Sequence, residues 1–73
     1  MMMKNKLDLH GVRHIEVDRL VENFILCNQD DAPLTIITGA SNKMFEIVTE
    51  VVFRIGCDDV QYFREGYLKI YRV

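Results

Sequence analysis

Apolar and polar residues alternate over residues 6–10, where Leu7 and Leu9 are separated by polar neighbours. Successive side chains of a β-strand point to opposite faces, so this alternation predicts a strand with one buried face. Leu7 and Leu9 then face the core, and Asp8 and His10 share the other side of the strand.

Two longer segments show the spacing of three and four residues between apolar side chains that predicts amphipathic helices. The first runs from about residue 14 to 28 and the second from about 43 to 55. Their apolar stripes are Val17, Leu20, Val21, Phe24 and Ile25 in the first helix, and Met44, Ile47, Val48, Val51, Val52 and Ile55 in the second. Ser41 or Asn42 suits the N-cap of the second helix, and Gly56 suits its C-terminal cap.

The remaining apolar runs predict three further strands, at residues 34–38, 60–63 and 67–73. The last two flank a short loop that contains Gly66, which is typical of a β-hairpin. The element order is therefore βαβαββ. It predicts an α/β (α+β two-layer sandwich) fold, with a four-stranded mixed sheet, its first two strands parallel, and two helices on one face.

The length of 73 residues supports one domain with one core. We assign residues 1–5 to a flexible N-terminal tail and residues 6–73 to the domain. No apolar run approaches the roughly 18 residues that a membrane helix needs, and no secretory leader is visible. A cytoplasmic monomer without membrane contact is the expectation.

The formal net charge is −2, which disfavours binding to nucleic acid by bulk electrostatics. A local basic patch remains open, because the acidic pairs at residues 30–31 and 58–59 fall in predicted connections. Cys27 and Cys57 lie outside any C-x-x-C pair, so we expect reduced thiols and no metal site.

Asp8 and His10 form the first candidate site. An imidazole can both accept and donate a proton near neutral pH, and a nearby carboxylate can orient it. Gly11 would let a ligand approach the backbone closely. Arg13 and His14 follow at the start of the first helix, where they could contact a phosphate. A solvated strand end explains the same residues without any chemistry.

The loop after the second long strand is the next candidate. The start of a helix favours an anion such as phosphate, because its backbone N–H groups lack acceptors. Thr38, Gly39, Ser41 and Asn42 supply hydrogen-bonding groups, and Lys43 adds a positive charge. A capped turn accounts for this loop equally well. In a parallel βαβ unit the two strand ends are neighbours, so the two candidate sites should converge.

Tyr67, Lys69 and Tyr71 occupy alternate positions of the last strand. Aromatic and basic side chains on an open sheet face can stack on bases and contact phosphates. An amphipathic strand that faces solvent shows the same pattern.

Residues 7–11, with the sequence LDLHG, resemble the motif at the end of the first strand of small MutS-related (Smr) domains. Glu16 stands where that family commonly has an acidic residue. Residues 34–39 resemble its second strand and the glycine loop that follows, and the closing hairpin also fits. The resemblance covers residues 6–73.

The resemblance implies a fold similar to the C-terminal domain of bacterial translation initiation factor three. Members of the family bind nucleic acid, and several are endonucleases that cut RNA or DNA, including messenger RNA on stalled ribosomes. It assigns catalysis to Asp8 and His10 and substrate binding to the loop at residues 38–43. We expect no cofactor and no metal. The expected nucleic-acid contacts are Gly11, Arg13, Thr38, Gly39, Ser41, Asn42, Lys43 and Lys69.

The sequence differs from the family pattern in several places. Thr38 stands where many members have His, Ser41 where they have Gly, and Arg13 where a capping Thr or Ser is frequent, and the hairpin loop is short and lacks the usual run of glycines. One candidate acid–base group is therefore missing. The preferred hypothesis is a metal-independent RNA or DNA endonuclease, with enzyme activity itself left open. The alternatives are a non-catalytic module that binds nucleic acid or the ribosome, and a domain that only caps a protein complex.

Overall fold

The computed structural model describes residues 2–3 and 5–73. Along the chain the elements are β1 (Met2–Met3), β2 (Lys6–Asp8), α1 (His14–Cys27), a 3-10 turn (Gln29–Asp31), β3 (Leu34–Ile37), α2 (Asn42–Ile55), β4 (Asp59–Phe63) and β5 (Tyr67–Arg72). The α+β fold with a mixed sheet and two helices is confirmed.

The strands form one sheet in the order β1-β2-β3-β5-β4. β2 and β3 are parallel, as expected, and the other neighbours are antiparallel. The short strand β1 was not predicted. It lies within the segment assigned to a flexible tail, and pairs Met2 with Leu7 and Met3 with Lys6. Asn5 forms the turn between the two strands, while Met1 and Lys4 lie outside the described residues.

The first long strand ends two residues earlier than the alternation predicts. β2 stops at Asp8, although the N–H of Leu9 still donates to the carbonyl of Ile37 (3.0 Å). The chain then turns, with the N–H of Val12 donating to the carbonyl of Leu9 (3.0 Å) and Gly11 at φ 79°. That positive φ matches the third residue of a type II turn, which favours glycine. His10 is therefore presented from a turn.

The core lies between the sheet and the two helices. Its members are apolar side chains that each expose 5% or less of their surface: Leu7, Leu9, Val17, Val21, Phe24, Ile25, Leu34, Ile36, Met44, Val48, Val51, Val52, Leu68 and Ile70. Both predicted helical stripes are confirmed, with Leu20, Ile47 and Ile55 half-buried at the rim.

Both helices run antiparallel to β2 and β3, because each follows a strand and returns across the sheet to start the next one. Both therefore begin at the same edge. We call this the carboxyl edge and define it by the loops at residues 9–13, 38–41 and 64–66. The opposite edge, with the connections at residues 28–33 and 56–58, is the amino edge. This arrangement fixes where each candidate side chain can lie.

Gly66, in the hairpin loop, binds this loop to the end of β3. Its carbonyl accepts hydrogen bonds from the N–H groups of Thr38 (2.8 Å) and Gly39 (2.9 Å). A Cβ atom at Gly66 would lie 2.6 Å from the carbonyl oxygen of Gly39, and Gly66 has a φ of 105°. The contact requires glycine both for space and for backbone conformation.

Arg54 of α2 connects the two helices on their outer side. Its guanidinium donates to both carboxylate oxygens of Asp18 (2.8 and 3.1 Å) and to Glu22 (2.9 Å) of α1. The hydrogen bond from Arg54, assisted by its charge, lowers the pKa of the Asp18 carboxyl. The three side chains are exposed to solvent, so this pairing is screened by salt.

We expect Gly66→Ala to lower the free energy of unfolding by roughly 1–3 kcal/mol or more, because the added methyl group overlaps backbone that cannot move freely. Gly56→Ala is the matched control, since Gly56 also has positive φ (89°) but nothing lies within 4 Å of a Cβ there. Its loss should be about 1–2 kcal/mol, the cost of the left-handed conformation alone. Urea unfolding measures both values, and an equal loss in the two variants would contradict the close contact.

We expect the stability difference between the native protein and Arg54→Gln to depend on pH. Because the pKa of Asp18 is lowered in the folded state, the pairing stabilises the fold above the ordinary range of an aspartate. That contribution is lost as the pH falls through the lowered value, below about pH 4. Urea unfolding at pH 7 and pH 3 measures the difference, with the exposed Arg19→Gln as control. A difference that is unchanged or larger at pH 3 would contradict the assignment.

Candidate nucleic-acid interface

The parallel pairing of β2 and β3 brings the two predicted motifs to one place. Asp8 is paired with Ile37, and the hydrogen bond from Leu9 to Ile37 extends the register by one residue. His10 follows Leu9, and Gly39 comes two residues after Ile37, at the ends of neighbouring strands. The convergence of the two loops at the carboxyl edge is therefore confirmed by the register of the strands.

Asp8 and His10 are linked through the backbone of the turn. The Asp8 carboxylate accepts a hydrogen bond from the N–H of His10 (2.9 Å), and Asp8 is half-buried. This contact is an Asx-type turn, in which a short acidic side chain holds the backbone two residues later. The His10 imidazole is exposed at the tip. Asp8 thus sets the position of His10 by fixing its main chain.

Thr38 has a different environment from the other predicted contacts. Its side chain is only 4% exposed, and its hydroxyl donates to the carbonyl of Gly66 (3.1 Å). The hydroxyl that was expected to meet a nucleic acid instead packs inside the carboxyl edge, between two loops. Thr38 therefore supports the shape of the edge.

Ser41, one of the two caps that the sequence predicts, is the N-cap of α2. Its hydroxyl accepts from the N–H of Met44 (3.1 Å), and its carbonyl accepts from Phe45 (3.1 Å). The amide groups of Asn42 and Lys43 belong to the first turn, where a helix offers no internal acceptor. Both side chains are exposed. Backbone dipoles and the Lys43 ammonium group can therefore attract the same anion.

A cavity of about 330 Å³ lies between the Gly39 loop, the first turn of α2 and the hairpin. Arg64 lines it together with Phe63 and with the rings of Phe45 and Tyr62. The Phe45 and Tyr62 rings meet edge to face, with centroids 5.6 Å apart. A cation beside aromatic rings and a helix start can accept a phosphate and a stacked base.

Arg64 is a candidate residue that the sequence analysis missed. The sequence identifies its hairpin loop, and β5 runs antiparallel to β3. Placing β5 beside β3 would have put the hairpin tip next to the Gly39 loop, at the carboxyl edge. The strand order was the missing information.

Arg13 and His14 lie at the start of α1 and are exposed. Arg13 is the N-cap residue, but its side chain makes no capping hydrogen bond. Arg13 follows closely after the turn that carries His10. With Lys43 and Arg64, Arg13 gives the carboxyl edge a third basic side chain.

The acidic pairs lie at the other end of the molecule. Asp30 and Asp31 precede β3, and Asp58 and Asp59 precede or begin β4, which places all four at the amino edge. The carboxyl edge also carries acidic side chains beside its basic ones, Asp8 at the end of β2 and Glu65 in the hairpin loop. Asp30, Asp31 and Asp58 lie in connections as predicted, whereas Asp59 is the first residue of β4. Distance and salt reduce the repulsion that these carboxylates would exert on a phosphate at the carboxyl edge.

Lys69 lies on the open face of the sheet. It shares a row across the strands with Lys6, Thr35 and Gln61, and the row nearer the carboxyl edge contains Asp8 and Tyr67. Its side chain is therefore one row away from the converging loops. Lys69 belongs to the site only if a ligand also follows the open face.

The stacked aromatic rings of the open face lie at its hairpin end. The rings of Tyr67 and Phe63 stack with centroids 4.5 Å apart and an interplanar angle of 12°. Tyr71, further along β5, is 37% exposed. The stacked pair covers the hairpin end of the face and offers a flat apolar surface beside the carboxyl edge.

Cys27 and Cys57 are free thiols, and partial burial raises the pKa of Cys57. Among the described residues, no group of three or more His, Cys, Asp or Glu side chains is arranged to hold a metal ion. Within that same part of the chain, no helix is both long enough and apolar enough to cross a membrane.

No family model, curated protein or solved structure matches the chain. The resemblance to Smr domains stays a prediction that rests on the residues quoted for it.

We expect Thr38→Val to lower the free energy of unfolding by about 0.5–1.5 kcal/mol, the net value of one hydrogen bond. The two backbone donors to Gly66 remain, so its carbonyl is not left unpaired. Thr38→Ser retains the hydroxyl and should keep more of this contribution. Chemical unfolding measures both variants, and a Thr38→Val protein as stable as the native one would contradict a structural role for this hydroxyl.

Proposed function

We propose that this protein binds RNA or DNA at its carboxyl edge and cleaves it through His10. The observation that carries the proposal is the parallel pairing of β2 with β3, which brings the turn that carries the exposed His10 to the same edge as the loop that precedes α2. The cavity lined by Arg64 and the exposed Lys43 support the binding part. The resemblance of residues 7–11 to the Smr motif supports the choice of nucleic acid as the substrate.

The proposed reaction on RNA needs no metal ion. His10 would take the proton of the 2′-hydroxyl, whose oxygen attacks the adjacent phosphorus while the bond to the 5′-oxygen breaks. The leaving 5′-oxygen takes up a proton from water and the His10 imidazolium returns its proton to solvent, so the products end in a 2′,3′-cyclic phosphate and a 5′-hydroxyl. Lys43 and the α2 amides would stabilise the charge on the phosphate oxygens. Asp8 is a positioning residue in this scheme, since its carboxylate holds the main chain of His10.

The second candidate is a non-catalytic module that binds nucleic acid or the ribosome. Two observations favour it. Thr38 occupies the position of a second acid–base group in many family members, and its hydroxyl is buried against Gly66. The net charge of −2 also limits binding to a local contact.

Incubation of the pure protein with labelled RNA, single-stranded DNA and supercoiled plasmid, with and without EDTA, tests the proposal. We expect His10→Ala to slow cleavage at least about 100-fold, the usual contribution of a general base, while binding stays within a few-fold of native. His14→Ala is the matched control, since it removes an exposed imidazole four residues along the chain. A single 2′-deoxy substitution at the cut site should stop RNA cleavage.

The position of His10 is tested with two Asp8 variants. Asp8→Asn keeps an oxygen that can accept the N–H of His10, whereas Asp8→Ala removes it. If Asp8 acts by positioning, Asp8→Asn should retain much of the rate that Asp8→Ala loses. Equal losses would contradict positioning and favour a role for the negative charge.

The contact of Lys43 with phosphate is tested by salt dependence. Lys43→Ala should weaken binding and reduce the slope of log affinity against log salt by about 1.

The outcomes separate the two candidates. Native protein that binds but does not cut any of the three substrates supports the non-catalytic module. Cleavage that persists unchanged in His10→Ala contradicts the proposed chemistry. Protein that binds none of the three contradicts both.

A further inference from the structure

A groove of about 630 Å³ lies between α2 and β4. Val52, Val60 and the thiol of Cys57 lie in it, and Phe53 and Tyr62 stand at its sides. Phe53 is 86% exposed and Tyr62 is 49% exposed. Covering apolar side chains this large with a partner lowers the free energy of the system.

β4 forms one edge of the sheet. It is hydrogen-bonded to β5 on one side, and none of the described strands pairs with its other side. An unpaired edge offers backbone donors and acceptors to an extended peptide, which can add to the sheet as a further strand. The groove lies beside this edge, so alternate side chains of such a peptide would enter it.

The charges of the groove select the kind of peptide. Glu46, Glu50 and Asp58 line it, and no lysine or arginine does. Arg54 lies on the same helix, but its guanidinium is bound to Asp18 and Glu22 on the other side of α2. A second copy of this chain would bring the same three carboxylates against one another across a two-fold axis. A basic segment would instead neutralise them.

We propose that this groove binds an extended, basic segment of a partner protein, which pairs with β4. Its apolar side chains would contact Phe53 and Tyr62, and its lysine or arginine side chains would meet Glu46, Glu50 and Asp58. This inference goes beyond the proposed function, because the groove requires neither His10 nor a nucleic acid.

A labelled peptide of about ten residues that alternates lysine and valine is the probe, and the same peptide with glutamate in place of lysine is its control. Fluorescence anisotropy with the full chain should show binding of the lysine peptide alone. Phe53→Ser should weaken that binding at least about fivefold, as loss of an apolar contact residue does. Ile15→Ser is the matched control, because Ile15 is also 86% exposed but lies on α1.

Charge is tested with the double variant Glu50→Lys and Asp58→Lys. It should weaken binding at least about tenfold, whereas Glu16→Lys with Asp30→Lys, an equal change of net charge elsewhere, should leave it within about twofold. Equal weakening by both pairs would show bulk attraction only and overturn the proposal.

The binding site is mapped by NMR. Changes in amide chemical shift on binding should be largest in β4 and the adjoining face of α2, and changes confined to the carboxyl edge would also overturn the proposal. Sedimentation that shows a dimer broken by Phe53→Ser would identify a second copy as the occupant and contradict a basic partner.

Discussion

One carbonyl oxygen, that of Gly66, receives three donors: the N–H groups of Thr38 and Gly39 and the hydroxyl of Thr38. These bonds attach the hairpin loop to the end of β3, immediately before the chain enters α2. They are possible because Gly66 has no Cβ to strike the Gly39 backbone. This contact determines the shape of the cavity and the positions of Ser41 and Arg64, which line it. A loop that contains no regular structure therefore determines the form of the carboxyl edge.

Much of the fold could be predicted because it follows from the regular spacing of apolar residues within short segments. Alternation identifies β2, and the spacing of three and four identifies α1 and α2 with their buried stripes. The caps at Ser41 and Gly56 follow from local chemistry and are present. β1 could not be predicted, since Met2 and Met3 show no alternation and form a strand by pairing with β2.

The candidate site was predictable to a lesser degree. The parallel pair of strands was enough to bring His10 near the Gly39 loop, because that follows from strand order and direction. Thr38 was predicted to contact nucleic acid at the surface, but its hydroxyl is buried. The burial depends on a hydrogen bond to the carbonyl of Gly66, which is distant in sequence. Arg64 and the bridging Arg54 depend on contacts between distant parts of the chain. No pattern along a single segment encodes such contacts.

The shared direction of the two helices has an electrical consequence of its own. Both begin at the carboxyl edge, so the aligned peptide dipoles place about half a positive elementary charge at each start. This potential belongs to the backbone and does not titrate. The two helix starts therefore contribute a positive potential to this edge at any pH at which the protein remains folded, without a basic side chain.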